Sequence, residues 1–236
     1  MSIKPNPFPP KSLTDFVISD ASSRQEIENI VNGNIPFPVF KEAICLWGAY
    51  GTGKTTLAKM LPPMLEASGN MPKSSNGLNP FQSLDYYHIT SCGHGSNSVN
   101  LVQEMAKRSS SVVDLSPKGY FYEILDEVDM MTQAAQASLK SYISEAKDTV
   151  FIITTNHPDK LNAGLKDRSY MIEMNQPSPV EMEQTGRRFL RDMGLTGNEV
   201  SSEILQQIAA ASRGSMREFG GAIITIGLRY GGTVKI

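Results

Sequence analysis

The sequence predicts an α/β protein: a parallel five-stranded sheet flanked by helices, followed by a small all-helical domain. Short apolar runs alternate with segments of helical periodicity as far as residue 174, and this alternation is typical of βαβ units with parallel strands. After Pro177, helical segments follow one another with no clear strand between them. The composition, 40% hydrophobic and 19% charged residues in a chain of 236, is that of a globular protein with a sizeable core.

The first predicted strand, residues 43–47, is a short apolar run that ends at a glycine, as a buried parallel strand would. The helix after it, at 55–61, carries apolar residues at the spacing of one helix face. Because proline cannot donate a helical hydrogen bond, Pro62 and Pro63 predict an end or a kink near Leu61. The other predicted elements are a helix at 24–31, a surface loop at 68–80, strands at 86–90, 120–125, 149–154 and 170–174, and helices at 97–108 and 131–146.

The change of pattern near residue 176 predicts two domains, an α/β domain at 1–176 and a helical lid domain at 177–236. Within the second domain, helices are predicted at 180–193, 202–211 and 215–229. Residues 1–12 contain four prolines and are predicted to form an extended arm.

Charge and cysteine content exclude several classes of protein. Lys and Arg number 22 against 24 Asp and Glu, a formal net charge of −2, which argues against a wholly cationic nucleic-acid binder but allows a local basic patch. Two cysteines cannot form a disulfide scaffold and are typical of a reducing compartment. No apolar run approaches the ~18 residues of a membrane span, and the N-terminus lacks the apolar core of a signal peptide. We therefore expect an intracellular, cytoplasmic protein.

Residues 48–55 read G-A-Y-G-T-G-K-T and satisfy the phosphate-loop pattern G-x-x-x-x-G-K-[ST] between a predicted strand and a predicted helix. Glycines allow successive backbone N–H groups to converge on one anion, and the helix that follows adds the positive end of its dipole. Lys54 would contact the β- and γ-phosphates and Thr55 would offer its hydroxyl to Mg²⁺. The alternative is a glycine-rich turn that only joins strand to helix. The residues predicted to bind nucleotide here are Gly48, Tyr50, Gly51, Thr52, Gly53, Lys54, Thr55 and Thr56.

An acidic pair, Asp126 and Glu127, follows the predicted strand 120–125. Parallel α/β sheets place their ligand crevice at the carboxyl ends of the strands. Asp126 would hold Mg²⁺, through water, and Glu127 would be the base that polarises an attacking water. The alternative is a solvated acidic turn. Asp129 is predicted to cap the helix at 131–146.

These motifs resemble those of the AAA+ ATPases and, more narrowly, of the small subunits of replication clamp loaders. Residues 124–139, I-L-D-E-V-D-M-M-T-Q-A-A-Q-A-S-L, are similar to the family's magnesium and base segment with its following helix. Residues 10–17, P-K-S-L-T-D-F-V, resemble the family's opening R-P-x-x-L-x-D-F-V, with Pro9 where the family has Arg. In the family this segment packs around the adenine, which implies that Phe16 and Val17 contact the base.

Three further matches concern polar residues of the family's site. Asn156, in T-T-N, resembles sensor 1, which orients the attacking water or touches the γ-phosphate; a turn residue before His157-Pro158 is the alternative. Arg168, in L-K-D-R-S, aligns with the arginine finger of L-x-S-R-C, which enters the neighbouring subunit's site; a plain surface arginine is the alternative. Arg217, in G-S-M-R, resembles sensor 2, G-D-x-R, which reaches the γ-phosphate from the lid.

The resemblance spans residues 10–230 and implies a P-loop AAA+ fold that hydrolyses ATP with Mg²⁺, with Lys54, Glu127, Asn156 and Arg168 as catalytic residues. Because Arg168 would act in trans, it implies a homo- or hetero-oligomer. The implied task is clamp-loader-like, in DNA replication and without the family's C-terminal collar domain, with a sliding clamp or a helicase as client. The alternatives are another remodeller on DNA (a helicase loader, a transposition regulator or a recombination motor) or an ATP-dependent DNA-binding assembly switch with slow turnover.

In the clamp loaders, the helices before and after the acidic pair follow the DNA backbone. The polar residues that correspond here are Thr132, Gln133 and Lys140 in the later helix and Asn97, Ser98 and Asn100 in the earlier one. Amides and hydroxyls can bind phosphate without reading sequence. The alternative is a solvated polar face. A second basic cluster, Arg187, Arg188 and Arg191, could meet DNA, a neighbouring subunit or water.

Overall fold

A computed structural model describes residues 7–68, 86–93, 98–111 and 116–234. In these residues, five strands form one parallel sheet in the order β2-β3-β4-β1-β5. This arrangement, with helices around it and after it, confirms the predicted fold class. The strands are β1 (Ala43–Trp47), β2 (Tyr87–Ser91), β3 (Phe121–Asp126), β4 (Thr149–Thr155) and β5 (Ser169–Glu173).

The helices match the predicted periodic segments, with one addition. A short helix, α5, lies between β4 and β5, and its five residues are too few to show a periodicity. The loop predicted at 68–80 lies, apart from Ser68, outside the described residues. Within the ranges given above, no helix has both the length and the apolar composition that crossing a bilayer needs. The helices are α1 (Ala21–Val31), α2 (Lys54–Ala67), α3 (Val99–Ser111), α4 (Gln133–Glu145), α5 (Ala163–Asp167), α6 (Pro179–Asp192), α7 (Ser202–Ala211) and α8 (Met216–Arg229).

Of the end or kink predicted near Leu61, the end does not occur, because α2 continues through Pro62 and Pro63 to Ala67. An interior proline costs a helix about 3 kcal/mol. The side chains of Leu61 and Leu65 are 0% and 1% exposed, and burying a leucine contributes about 1.5–3 kcal/mol. Burial of the helix face therefore offsets the local preference of the prolines.

The order of the strands decides which loops meet. β1 lies beside β4 and β4 beside β3, with Trp47 paired to Thr155 and Leu125 to Ile153. Because all strands are parallel, the carboxyl ends of β1, β3 and β4 lie at one edge of the sheet. The three central strands β1, β3 and β4 are buried almost along their whole length, as expected for a parallel sheet covered on both faces.

The chain divides into two compact units. The sheet unit comprises Ala21–Gly48 and Lys54–Glu173. The helical unit comprises, of the described residues, 7–20, Ala49–Gly53 and 174–234. Two short segments from the N-terminal part of the chain thus belong to the helical unit, although periodicity did not assign them to it. The domain bounds 1–176 and 177–236 stay a prediction.

The helical unit has its own apolar core, formed by α6, α7 and α8. Phe8, from the arm predicted to be extended, is buried there and stacks on Phe189 with ring centroids 4.5 Å apart. Asp15 forms an ion pair with Arg188 of α6, at 3.0 Å between oxygen and nitrogen. The N-terminal segment that includes Phe8 and Asp15 is therefore held to α6 by both an apolar and an ionic contact.

Candidate active site

The phosphate loop has the backbone that an anion site requires. Gly48, Gly51 and Gly53 have φ angles of 140°, 79° and 97°, a region that glycine enters without steric cost. Helix α2 begins directly afterwards, at Lys54, so the positive end of its dipole follows the loop. A side chain at any of these three glycines would strain the loop, which explains the residue type at each position.

Lys54 is a buried cation at the start of α2, only 6% exposed. Its ammonium group donates a hydrogen bond to the carbonyl oxygen of Gly48 at 2.9 Å. Burial lowers the pKa of Lys54, while the carboxylates of Asp126, Asp129 and Glu127 act in the opposite direction. A phosphate close to Lys54 would add negative charge and favour the protonated amine further.

Asp126 is the centre of a hydrogen-bond cluster in the sheet unit. Its Oδ1 accepts hydrogen bonds from the hydroxyls of Thr55 and Thr154, each at 2.7 Å. The backbone N–H of Glu127 donates to the hydroxyl oxygen of the same Thr154 at 3.0 Å. Thr55 and Asp126 are distant in sequence, yet the fold places their oxygens side by side. Hydroxyl and carboxylate oxygens are ligands that suit Mg²⁺, so the two residues fit the predicted metal.

Glu127, the predicted base, has a left-handed backbone with φ 61° and ψ 51°. A non-glycine residue is uncommon in this region and costs of the order of 1–3 kcal/mol. The hydrogen bond from its N–H to Thr154 holds this conformation. Backbone strain of this kind is found preferentially at functional sites, and here it occurs directly after the predicted metal ligand Asp126.

Asp129 corrects a prediction, because it does not cap the following helix. Thr132 is the N-cap of α4, and its hydroxyl accepts a hydrogen bond from the N–H of Ala135. A short 3₁₀ turn at Val128–Met130 delays the helix and leaves Asp129 buried. Its Oδ1 accepts from the hydroxyl of Thr155 at 2.8 Å and from the N–H of Asn156 at 3.1 Å. Asp129 therefore ties the acidic segment to the end of β4, where Asn156 is.

Inside the helical unit, two elements contact the segment Ala49–Gly53. The N–H of Met216, the first residue of α8, donates to the carbonyl oxygen of Gly51 at 2.9 Å. A Cβ atom at Gly51 would lie 2.7 Å from the hydroxyl oxygen of Ser215. The ring of Phe16 lies against Gly53, at 3.7 Å from the position of a Cβ atom there. The start of α8 and the predicted adenine segment thus both reach the phosphate loop.

The other predicted nucleotide residues differ in exposure. Tyr50 is 64% exposed, whereas Thr52 is buried and its hydroxyl donates to the carbonyl oxygen of Ala49 at 3.1 Å. Arg217 is exposed at the second position of α8. Val17, beside Phe16, and Thr56, in the first turn of α2, are partly buried. The contacts of the nucleotide with these side chains stay predictions.

Comparison with known proteins decides the family. A model described as "ATPase family associated with various cellular activities (AAA)" matches residues 44–176. The chain belongs to the AAA ATPase family. The match covers the phosphate loop, the acidic pair, Asn156 and Arg168.

Among curated proteins, this AAA chain is similar to replication proteins. It is 25% identical over 212 residues to Replication factor C small subunit 2 of Pyrobaculum islandicum, with 89% of this chain and 59% of the relative covered. Replication factor C small subunit of Thermoplasma acidophilum is 23% identical over the same shares. DNA polymerase III subunit gamma/tau of Mycoplasma pneumoniae is 22% identical over 89% of this chain and 30% of its own length. These relatives confirm the resemblance to clamp-loader small subunits, although the chain spans less than two thirds of their length.

Among solved structures, the fold is similar to the RuvB Holliday junction branch migration motor of Thermotoga maritima. The TM-score is 0.67 at 18% identity, with 98% of this chain and 70% of that chain covered. A variant of the same protein gives a TM-score of 0.69 over the same shares. This similarity supports the AAA+ fold of the chain.

Arg168, the predicted finger of this AAA domain, lies at the C-cap of α5. Its Nε donates to the hydroxyl oxygen of Ser144 at 2.7 Å and its Nη1 to the carbonyl oxygen of Gly164 at 3.1 Å. Among the described residues, no hydrogen bond or ion pair joins Arg168 to the phosphate loop or to Asp126. A role in another subunit's site is compatible with this position and stays a prediction.

Two of the predicted DNA-contacting residues, Thr132 and Gln133, already have structural partners. Thr132 caps α4, Gln133 donates to the carbonyl oxygen of Lys160 at 3.1 Å, and Lys140 is partly buried. Ser98 and Asn100 are exposed at the start of α3, while Asn97 lies outside the described residues.

In the basic cluster of α6, Arg187 pairs with Glu183 and Arg188 with Asp15, whereas Arg191 is exposed.

Sequence reasoning missed one buried acid, Glu123, in the middle of β3. It is 0% exposed, and its Oε1 accepts from the hydroxyl of Thr90 at 2.9 Å and lies 3.8 Å from Nη2 of Arg108. Its Oε2 has no hydrogen-bond partner in the part of the chain described. Burial raises the pKa of Glu123 to about 7, against the opposing effects of Arg108 and Thr90. A single acid in an otherwise apolar strand, F-Y-E-I-L, was the available signal.

Proposed function

We propose that this AAA ATPase hydrolyses ATP with Mg²⁺ at the phosphate loop. The observation that carries the proposal is the hydrogen bond between Thr55 and Asp126, because it joins the start of α2 to the end of β3. In the same unit, Lys54 is buried against the carbonyl oxygen of the loop's first glycine. A buried cation and two adjacent oxygen ligands in one unit are the groups that a triphosphate and its metal would require, and they support the proposal.

In this proposal, each part of the chain has one role. The loop N–H groups and Lys54 bind the phosphates, and Thr55 and Asp126 hold Mg²⁺. Bound there, Mg²⁺ would neutralise charge on the phosphate oxygens. Glu127 and Asn156 orient a water molecule whose oxygen bonds to the γ-phosphorus, while Glu127 accepts a proton from that water and the bond to the ADP oxygen breaks. The adenine contacts Phe16 and Val17, and Arg217 binds the γ-phosphate.

The test separates binding from hydrolysis. Glu127→Gln keeps the size of the side chain but removes its negative charge, so we expect it to bind a fluorescent ATP analogue normally and to lose hydrolysis by about 10²-fold or more. Glu145→Gln, at the exposed end of α4, is the matched control and should hydrolyse ATP as the wild type does. Equal rates for the Glu127 and Glu145 variants would contradict the assigned role of Glu127.

We further propose that the protein acts as a clamp-loader-like motor in DNA replication, inside the cell and in an oligomer. The relatives named Replication factor C small subunit and DNA polymerase III gamma/tau support this task. In the oligomer, Arg168 of one copy would reach the phosphates of the next. Arg168→Ala should therefore lower the rate by about 10³-fold or more, with nucleotide still bound.

In the DNA part of the proposal, Thr132 at the N-cap of α4 and Gln133 and Lys140 within α4 contact the DNA backbone. The decisive measurement is single-turnover hydrolysis with a sliding clamp, with and without primer-template DNA, at two salt concentrations. Stimulation by primed DNA that weakens at higher salt would support a loader, since phosphate contacts release counterions. Slow turnover with polymerisation on DNA would instead support an assembly switch.

A further inference from the structure

Helices α4 and α5 approach each other closely beside Arg168. At Gly164 in α5, a Cβ atom would lie 2.5 Å from Cδ of Lys140 in α4, so the absence of a side chain permits the contact. One turn further along α4 from Lys140 is Ser144. The close approach brings this serine within reach of Arg168, the residue that follows α5.

Ser144 holds the guanidinium of Arg168 from one side. The Ser144 hydroxyl donates to the carbonyl oxygen of Lys140 at 3.1 Å, and its oxygen accepts from Nε of Arg168 at 2.7 Å. With the second bond, from Nη1 to the carbonyl oxygen of Gly164 at 3.1 Å, two points of a planar group are fixed. In the described residues, no acceptor is bonded to Nη2.

We propose that Ser144 is a positioning residue for Arg168 and sets its guanidinium in advance for a phosphate of a neighbouring copy, leaving Nη2 to make the contact. A long side chain such as that of arginine loses rotamer entropy when it is ordered. Because Ser144 orders it before the neighbour's nucleotide arrives, this cost does not fall on the reaction step. The inference rests on the proposed trans role of Arg168, and the test must separate the two.

The test mixes two inactive chains. A Glu127→Gln chain has a normal Arg168 but cannot hydrolyse, and an Arg168→Ala chain has a normal site but no finger. In mixed oligomers, hydrolysis requires Arg168 from the first chain beside the site of the second. Ser144→Ala is then placed in one chain at a time. We expect kcat of the mixture to fall about five- to tenfold when the Glu127→Gln chain carries it. We expect no change when the Arg168→Ala chain carries it.

The dependence on which chain carries the change distinguishes positioning from a merely structural role. If Ser144→Ala acted through misfolding of α4 or through weaker assembly, it would lower the rate in both placements. That result would overturn the proposal. KM for ATP should stay constant, and Ser144→Thr, which keeps the hydroxyl, should restore kcat.

The matched control is Ser141→Ala. Ser141 lies on the same helix, is equally exposed and bonds to the carbonyl oxygen four residues earlier, but has no bond to Arg168. Ser141→Ala should leave kcat of the mixture unchanged, whichever of the two chains carries it. If the two starting chains give no hydrolysis together, the trans role of Arg168 fails and this inference with it. If they do, and Ser144→Ala in the Glu127→Gln chain has no effect, this inference alone fails.

Discussion

Replacing Glu123 by Gln should remove a pH dependence of stability that the fold creates. The carboxyl group is fully buried in β3, one of its oxygens has no partner among the described residues, and burial raises its pKa from 4.5 to about 7. Between these two values, the folded chain binds more protons at this site than the unfolded chain does. The free energy of unfolding therefore falls as the pH rises through this window.

The size of the effect follows from the pKa. A change from 4.5 to about 7 corresponds to about 3 kcal/mol, since each pKa unit is worth about 1.4 kcal/mol. This free energy is the cost of ionising the buried carboxyl in the folded chain. At pH 5 most of the cost is absent, because the carboxyl is protonated in the folded state, and at pH 8 all of it is present. Gln cannot ionise, so Glu123→Gln should gain stability relative to the parent chain by about 2–3 kcal/mol between pH 5 and pH 8.

The assay is urea unfolding at pH 5, 6, 7 and 8, followed by circular dichroism. His88 lies 3.4 Å from Glu123, and its own pKa is lowered by burial and by Arg108, so both chains should carry His88→Gln. The quantity compared is the difference in unfolding free energy between the parent chain and the Glu123→Gln chain. If this difference stays the same within about 0.5 kcal/mol from pH 5 to pH 8, the reasoning is refuted. That result would mean that water or Arg108 stabilises the ionised carboxylate despite its burial.

Two further predictions concern the phosphate loop and the end of β4. Gly51→Ala should destabilise the chain by about 1–2 kcal/mol and weaken nucleotide binding, because φ is 79° and a Cβ atom would lie 2.7 Å from Ser215 Oγ. Gly221→Ala in α8 is the comparison, because a Cβ atom at Gly221 would have no neighbouring atom within 4 Å. It should stabilise the chain by up to about 1 kcal/mol in the same unfolding assay, and a loss of stability would contradict the steric argument made for Gly51. Asp129→Ala should lower kcat about tenfold or more at unchanged nucleotide affinity, because the backbone N–H of Asn156 loses its acceptor. Asp129→Asn, which keeps an acceptor oxygen, should recover most of the rate. An unaltered kcat for Asp129→Ala would mean that β4 holds Asn156 in place without Asp129.

Local features of the chain were predictable from the sequence because their physical causes lie within a few residues. The bounds of β1 were predicted to the residue, and the glycines of the phosphate loop were predicted to curl the backbone, as the positive φ angles at Gly48, Gly51 and Gly53 show. An end or a kink of α2 near Leu61 was also a local prediction, and the end does not occur. There, the burial of the helix face that includes Leu61 and Leu65 offset the preference of two prolines.

Local patterns in the chain were enough to predict the kind of fold, the order of its elements and the residues of the phosphate loop, since hydrophobic periodicity and glycine chemistry act over short stretches of chain. Which distant side chains meet becomes visible only in the folded chain: Thr55 with Asp126, Asp129 with Asn156, and Arg168 with Ser144. These contacts depend on the order of the strands and on how closely helices pack. Both are set by the burial of the whole core, which no local pattern in the sequence encodes.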